Sequence, residues 1–218
     1  MKRIIIICEG ETEQEFCTSV LSKYFAGKEI FVDAPLIKKS MGGIVKWPVL
    51  KREIENFLKN DRSIFVTTLI DFYGLYKKFG FPQWDNAGLE HNKNRRLDIL
   101  ENAMYKEIDE KFRNRFIPYI QLHEFEGLLF SNEKVFYEQI PGEELIGRKE
   151  LSTIFKEFDN PEMINDNPEN SPSKRLKRII KGYNKIVYGN ILAEALGIEK
   201  IRMKCPRFNN WIIKLGKL

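Results

Sequence analysis

Carboxylates follow three separate apolar stretches of this 218-residue chain, each at the point where the stretch ends. Glu9 comes after four isoleucines and a cysteine, Asp71 after a second apolar run, and Glu124 and Glu126 after a third. If these stretches are parallel β-strands, their carboxyl ends share one sheet edge, where α/β proteins bind ligands. Unpaired carboxylates that converge repel one another and require a cation. Mg²⁺, or Mn²⁺, suits such oxygen ligands and could polarise a phosphoryl group or activate a water molecule.

A single acid after a strand also has an ordinary structural explanation, because it often caps a turn or favours a helix N-terminus. Asp71 could cap a turn, and Glu9 could lie at the start of the next helix. Three such acids in succession favour a metal site over this explanation. Glu13, four residues after Glu9, is a further candidate ligand. His123 could be a general base beside the site, or a satisfied and partly buried histidine.

Apolar periodicity predicts the elements that position these acids. Strands are expected at residues 4–8, 30–37, 64–70 and 116–122. Helices are expected at 12–25, 47–58, 94–112, 131–158 with a break at Pro141 and Gly142, 173–182 and 188–196, with a last short helix around Trp211. Pro35 favours an edge position for the second strand. Residues 72–94, polar and aromatic, are expected to form a long loop that acts as a lid or a binding surface.

The alternation of strands and helices predicts an α/β fold with a mostly parallel, Rossmann-like sheet flanked by helices and a helical C-terminal portion. We expect two parts: an α/β domain over residues 1–140, and a helical, basic subdomain over residues 141–218 that packs on it.

The composition excludes several classes of protein. No apolar run approaches the roughly 18 residues of a membrane span. The apolar run near the start of the chain is too short for the core of a signal peptide. Three scattered cysteines favour neither a disulfide framework nor a zinc site, so a cytoplasmic protein with reduced thiols is expected. No GxxxxGK[ST] phosphate loop occurs in the chain.

The net charge of +5 is mild, but its distribution is uneven. Residues 174–185 carry six cations and no anion. The candidate nucleic-acid contacts are Lys174, Arg175, Lys177, Arg178 and Lys181. Lys185 is a candidate catalytic residue that could stabilise the charge of a transition state. The alternative is a solvated helix face.

Two motifs resemble those of TOPRIM domains, especially the domains of OLD-type nucleases. Residues 9–13 (EGETE) resemble the first motif, in which the glutamate after the strand is a catalytic or metal-site residue. Residues 69–74 (LIDFYG) resemble the second motif, normally Asp-x-Asp, and Glu126 resembles a later acidic position. The resemblance implies a TOPRIM-like sheet with Glu9, Asp71 and Glu126 as catalytic residues.

Nearly the whole chain also resembles a group of bacterial proteins akin to RloB. The shared segments are HEFEGLLF at 123–130, PEMIN at 161–165, PSKRL at 172–176 and CPRF at 205–208, together with Trp211. This resemblance implies a partner ATPase of the AAA or ABC type and a role in defence against phage. A homo-oligomer is a further expectation.

One position departs from the TOPRIM pattern, because Tyr73 stands where the second aspartate would be. Glu13, Glu124 or Glu126 could restore the number of carboxylates. The leading hypothesis is therefore a Mg²⁺-dependent nuclease that cleaves DNA or RNA phosphodiesters. The alternative is a degenerate, non-catalytic TOPRIM module that binds nucleic acid or a partner ATPase.

Overall fold

The sheet contains every strand of the described part of the chain, and all of them run parallel. The structure, a computed structural model, describes residues 2–38, 43–164 and 168–218. The strands are β1 (Lys2–Cys8), β2 (Ile30–Asp33), β3 (Ile64–Asp71), β4 (Phe116–Ile117) and β5 (Ile120–Gln121). Their order is β2-β1-β3, and β4 and β5 both pair with β3 on its other side. The predicted parallel α/β fold is confirmed, with β2 at an edge.

Helices surround this sheet and make up the rest of the fold. They are α1 (Glu11–Phe16), α2 (Ser22–Ala26), α3 (Trp47–Asn60), α4 (Trp84–Leu89), α5 (Lys93–Glu107), α6 (Glu110–Arg113), α7 (Glu133–Gln139), α8 (Arg148–Glu157), α9 (Pro172–Ile179), α10 (Lys185–Lys204) and α11 (Pro206–Gly216). A π-helical segment, Cys17–Leu21, joins α1 to α2, so the predicted first helix is continuous but locally widened.

The isoleucine run of β1 supports both faces of the sheet. Ile4 and Ile6 lie in a core formed with α1, α2 and the C-terminal helices, whereas Ile5 and Ile7 lie in a core formed with α3 and α5. Successive side chains of a strand point to opposite faces, so an unbroken apolar run is needed where both faces are covered.

Two predictions from the sequence are corrected. Residues 72–94 are not a single loop, since they contain a 3₁₀ turn at Lys77–Phe79, the helix α4 and the start of α5. The aromatic side chains of this region pack locally: Phe81 is buried against Trp47, and Phe72 lies beside Trp84. The fourth predicted strand is interrupted around Pro118 and forms the short strands β4 and β5, because proline has no N–H to donate to a ladder.

The C-terminal helices share a core with the sheet. Trp211 of α11 stacks on Tyr119 with ring centroids 4.4 Å apart, and its Nε1–H donates to Thr67 Oγ1 of β3 at 2.9 Å. The division into residues 1–140 and 141–218 stays a prediction. Within the described residues, no helix combines the length and apolarity needed to cross a membrane.

Candidate active site

Three strand ends deliver acids to one edge of the sheet. Glu9 directly follows β1, Asp71 is the last residue of β3, and Glu126 lies in a 3₁₀ segment, Phe125–Ser131, that follows β5. The ends meet because the strands are parallel and in register, with Cys8 opposite Leu69 and Asp71 opposite Gln121.

Hydrogen bonds tie these strand ends together. The backbone N–H of Asp71 donates to Glu9 Oε2 at 3.0 Å, and the N–H of Phe125 donates to Asp71 Oδ1 at 2.9 Å. Glu9 is therefore tied to the end of β3, and Asp71 to the start of the 3₁₀ segment that carries Glu126.

A fourth carboxylate, that of Glu13, comes from the first turn of α1. The Glu13 side chain is buried and lies over Gly10, so that a Cβ at Gly10 would stand 2.9 Å from Glu13 Oε2. Glycine at this position therefore allows the carboxylate to fold back toward the strand ends. Glu11 of the same turn is exposed.

Lys185 is the cation of this cluster. It is the first residue of α10, and its Nζ lies 2.9 Å from Glu126 Oε1 and 3.8 Å from Glu13 Oε1. Burial lowers the pKa of the ammonium, but the charges of Glu126, Glu13 and Asp71 outweigh burial and the net pKa is raised. The ammonium therefore stays charged. We call Glu9, Glu13, Asp71, Glu126 and Lys185 the carboxylate site.

Glu126 is the least satisfied member of the carboxylate site. Its side chain is 0% exposed, and within the described residues its Oε2 has no hydrogen-bond partner. Burial raises its pKa to about 7, against the opposing charge of Lys185, and Glu13 adds to the rise. A buried carboxylate oxygen without a donor is costly, and such groups concentrate at functional sites.

Burial also raises the pKa of the other two strand-end acids. The pKa of Glu9 is raised to about 7, with Glu13 and Glu126 adding to burial and with the Asp71 N–H and Lys185 opposing it. The pKa of Asp71 is raised well above its ordinary value by burial and then by Glu13, Glu9 and Glu126. Each of these acids therefore takes up a proton more readily than a free carboxyl group, because burial and the neighbouring acids disfavour its charged form.

The structure separates Glu124 from Glu126. Both oxygens of Glu124 accept hydrogen bonds from Ser173, one from the backbone N–H at 2.8 Å and one from the hydroxyl at 3.1 Å. Glu124 thus binds the first turn of α9, whereas Glu126 points to Lys185. The predicted role of Glu124 as a metal ligand stays a prediction.

The predicted nucleic-acid contacts lie on and just after α9, which begins beside the site. Three have internal partners: Lys174 pairs with Glu169, Arg178 pairs with Glu150, and buried Arg175 donates to the Asn170 carbonyl. Lys177 and Lys181 are exposed.

An open cleft of about 800 Å³ reaches the carboxylate site. Glu9, Glu13, Lys38, Lys185 and Ile186 are among its lining residues. Because Lys185 lines the cleft and also contacts Glu126, its ammonium lies between the cleft and that buried carboxylate.

His123 fits the interpretation of a satisfied histidine. Its Nε2 lies 3.1 Å from Lys93 Nζ, and burial followed by the charge of Lys93 lowers its pKa to about 4. The backbone of His123 has a φ of 65°, and its carbonyl accepts the N–H of Tyr73 at 2.8 Å. Tyr73, at the position of the missing aspartate, is thus held beside β5.

Two residues of this region were missed by sequence reasoning. Tyr183 has a buried hydroxyl without a hydrogen-bond partner in the described residues, and the charge of Glu126 acts on it. Gly189 brings α10 close to α1, since a Cβ there would stand 3.2 Å from Thr12 Cγ2. Neither residue belongs to a motif, and a lone tyrosine or helical glycine carries no local signal.

The four acids of the carboxylate site suit Mg²⁺ chemically, since their ligand atoms would be carboxylate oxygens and Glu126 Oε2 has no partner among the described residues. In the described ranges, no group of three or more His, Cys, Asp and Glu side chains has the spacing of a formed metal site. Lys185 Nζ instead supplies the positive charge among these acids.

A family comparison covers almost the whole chain. The family described as a domain of unknown function, DUF4276, matches residues 8–216. The chain belongs to the DUF4276 family. No curated protein matches it.

Among solved structures, this DUF4276 protein resembles the C-terminal region of the Burkholderia pseudomallei OLD protein. The TM-score is 0.50 at 15% sequence identity, and the match covers 98% of each chain. At this identity the likeness shows the fold alone, and it agrees with the parallel α/β architecture. The TOPRIM motifs and the likeness to RloB stay predictions from the sequence.

Proposed function

We propose that this protein is a Mg²⁺-dependent nuclease that hydrolyses phosphodiester bonds of nucleic acid. The observation that carries the proposal is the position of Glu126 at the edge where Glu9, Asp71 and Glu13 converge: it is buried, and its Oε2 has no partner among the described residues. Buried carboxylates that lie close together repel one another and destabilise the folded protein. Such clusters are typical of sites that bind a cation or move protons. The OLD-like fold is compatible with this function.

Glu9, Glu13, Asp71 and Glu126 would hold the metal ion. Because their oxygens do not have metal-site spacing, the Glu13 and Glu126 side chains would have to turn and Lys185 would have to withdraw from Glu126. When bound, the ion would polarise the phosphoryl group and lower the pKa of a water molecule. Mn²⁺ would serve as a substitute.

The chain's own residues would bind and orient the substrate. Lys185, on the wall of the cleft, would approach a phosphate oxygen and stabilise the negative charge that develops there. Lys177 and Lys181 are exposed and would contact the phosphate backbone. Lys174, Arg175 and Arg178 would contribute only by exchanging their internal partners.

Calorimetric titration with Mn²⁺ and cleavage of labelled single- and double-stranded DNA and RNA test the proposal together. Glu9→Gln and Asp71→Asn should each lower Mn²⁺ affinity at least tenfold and abolish cleavage. Glu11→Gln is the matched control, because Glu11 lies in the same turn but is exposed. If neither substitution lowers the Mn²⁺ affinity, the proposal is wrong.

The second candidate function is a non-catalytic module that binds nucleic acid or a partner ATPase. It is favoured by Tyr73 at the place of the second aspartate and by the absence of metal-site spacing among the described residues. Nucleic acid that binds in an anisotropy assay but stays intact with Mg²⁺ and Mn²⁺ would support this function.

The resemblance to RloB extends the proposal to a partner ATPase of the AAA or ABC type and to defence against phage. If the nuclease depends on such a partner, adding the purified ATPase and ATP should raise the cleavage rate. The chain alone, which has no GxxxxGK[ST] motif, should not respond to ATP.

A further inference from the structure

The Lys185 side chain connects the open cleft with the buried acids of the carboxylate site. It is 45% exposed, whereas its partners Glu13 and Glu126 are 3% and 0% exposed. Its Nζ lies 2.9 Å from Glu126 Oε1 and 3.8 Å from Glu13 Oε1. These two carboxylates therefore share one positive partner, and that partner lies on the side of the cleft.

A metal ion in the carboxylate site would need oxygens that Lys185 now holds. Mg²⁺ binds carboxylate oxygens at about 2.0–2.1 Å. A metal ion and an ammonium that share the same oxygens would lie only a few ångströms apart, and two cations so close repel strongly where water screens them poorly. The ammonium and the metal ion are therefore alternative occupants of this place.

The Lys185 side chain can change its position while α10 stays in place. The start of this helix is held by Asn184, whose Oδ1 accepts the N–H groups of Ile186 and Val187 at 3.0 Å each. The ammonium ends a flexible four-carbon stem beside a cleft of about 800 Å³. A change of side-chain rotamer is enough to carry Nζ from the acids into the cleft.

We propose that Lys185 is an internal counter-ion that caps the carboxylate site in the metal-free protein and competes with the metal ion for Glu126 and Glu13. A metal ion that binds displaces the ammonium into the cleft, where it can pair with a phosphodiester. Because the coupling of two ligands is reciprocal, the phosphodiester then raises the metal affinity. This inference rests on the proposed function, since it concerns the metal ion that the site would hold.

Calorimetric titration with Mn²⁺ tests the competition without any cleavage. Lys185→Met removes the competing ammonium, so its Mn²⁺ affinity should exceed that of the wild type about tenfold or more. Lys23→Met is the matched control, because Lys23 pairs with Glu194 at the surface, 3.4 Å away, and it should bind Mn²⁺ as the wild type does.

The outcomes separate this inference from the proposed function. If the wild type binds Mn²⁺ and Lys185→Met binds it no more tightly, the competition is refuted and the proposed nuclease stands. If neither protein binds Mn²⁺, both are refuted.

The ammonium can also be followed in the wild type, which covers the case that Lys185→Met folds poorly. In protein with ¹⁵N-labelled lysine, the Nζ signal of Lys185 is assigned by its loss in Lys185→Arg. Its protons should exchange slowly in the metal-free state, because the ammonium is held by Glu126 and Glu13. Saturating Mg²⁺ should make the exchange fast. Slow exchange that persists at saturating Mg²⁺ would overturn the displacement.

The reciprocal coupling is measured with a phosphorothioate-linked oligonucleotide, which resists cleavage. The oligonucleotide should raise the Mn²⁺ affinity of the wild type several-fold, and the rise should be smaller in Lys185→Met, where no ammonium is released to the cleft. An equal rise in the two proteins would show that Lys185 does not couple the two ligands.

Discussion

Two acidic clusters of this protein are built in opposite ways. The Arg207 network consists of Asp98, Glu101 and Glu162 around Arg207, whose guanidinium contacts the first two acids. The carboxylate site, by contrast, gathers four acids around the single ammonium of Lys185.

Glu126 marks the difference, since backbone N–H groups serve other acids in both clusters, Glu9 and Asp71 included. In the Arg207 network, Glu162 accepts the N–H groups of Arg207 and Phe208, each at 2.9 Å, and Glu101 accepts the N–H of Ile120 at 2.8 Å. In the carboxylate site, Glu126 Oε2 has no partner in the part of the chain that the structure describes. The Arg207 network joins α5 and α11 to the sheet. The carboxylate site, by contrast, has a carboxylate oxygen left to bind a cation. Buried charge serves structure where it is satisfied and indicates function where it is not.

Removing the cation of the Arg207 network should give the largest loss of stability. Arg207→Met leaves Glu101 and Asp98 without their guanidinium, and breaking a buried pair typically costs about 3–5 kcal/mol of unfolding free energy. Urea denaturation measures this loss. Arg202→Met, which removes a more exposed arginine bound to Tyr24 and Glu199, is the control and should cost about 1 kcal/mol or less. Equal losses in the two variants would remove the contrast between the clusters.

Neutralising an acid of the carboxylate site should not lower stability, in contrast to Arg207→Met. Glu126→Gln removes a buried, poorly satisfied charge, so the free energy of unfolding at pH 8 should stay the same or rise, while Mn²⁺ affinity falls at least tenfold. Urea denaturation and calorimetry give the two values. A loss of stability as large as that of Arg207→Met would place Glu126 with the structural acids.

The pH dependence of stability should also come from the carboxylate site. The pKa of Glu9 and of Glu126 is about 7 in the folded protein and about 4.5 when unfolded. Between these values the folded state binds more protons, so stability should fall as pH rises from about 4.5 to 7. Mn²⁺ affinity should rise over the same range, because protons compete for the carboxylates. If the stability of the Glu9→Gln/Glu126→Gln variant falls with pH as much as that of the wild type, other titratable groups cause the pH dependence.

The smallest effect is expected from Gly10→Ala. The added Cβ would stand 2.9 Å from Glu13 Oε2 and push that carboxylate away, which should weaken Mn²⁺ binding several-fold with little change in stability. Gly88→Ala in α4, where a Cβ meets nothing within 4 Å, is the matched control. The control should leave Mn²⁺ affinity unchanged and stabilise slightly, by about 0.5–1 kcal/mol, through helix propensity. Equal Mn²⁺ affinities in the two variants would show that Glu13 is not a ligand.

The sheet could be predicted from local patterns to a large extent. The isoleucines of β1 and the apolar residues of β3 are recognisable because buried parallel strands need apolar side chains on both faces. Boundaries were less accurate where one residue changes the outcome, as where Pro118 separates β4 from β5. The helices within residues 72–94 were missed because glycine, proline and asparagine mask their short apolar pattern.

The sequence by itself determined that Glu9 and Asp71 would lie at one sheet edge, since both follow strands of a recognisable parallel fold. Only the tertiary structure decided between Glu124 and Glu126, because the choice depends on Ser173 and Lys185, some 50 to 60 positions along the chain. It also paired Lys185 with Glu126 and Glu13, partners that the sequence does not indicate. The physical reason is that periodicity reports which face of an element is buried, whereas the pairing of charges depends on how distant elements pack.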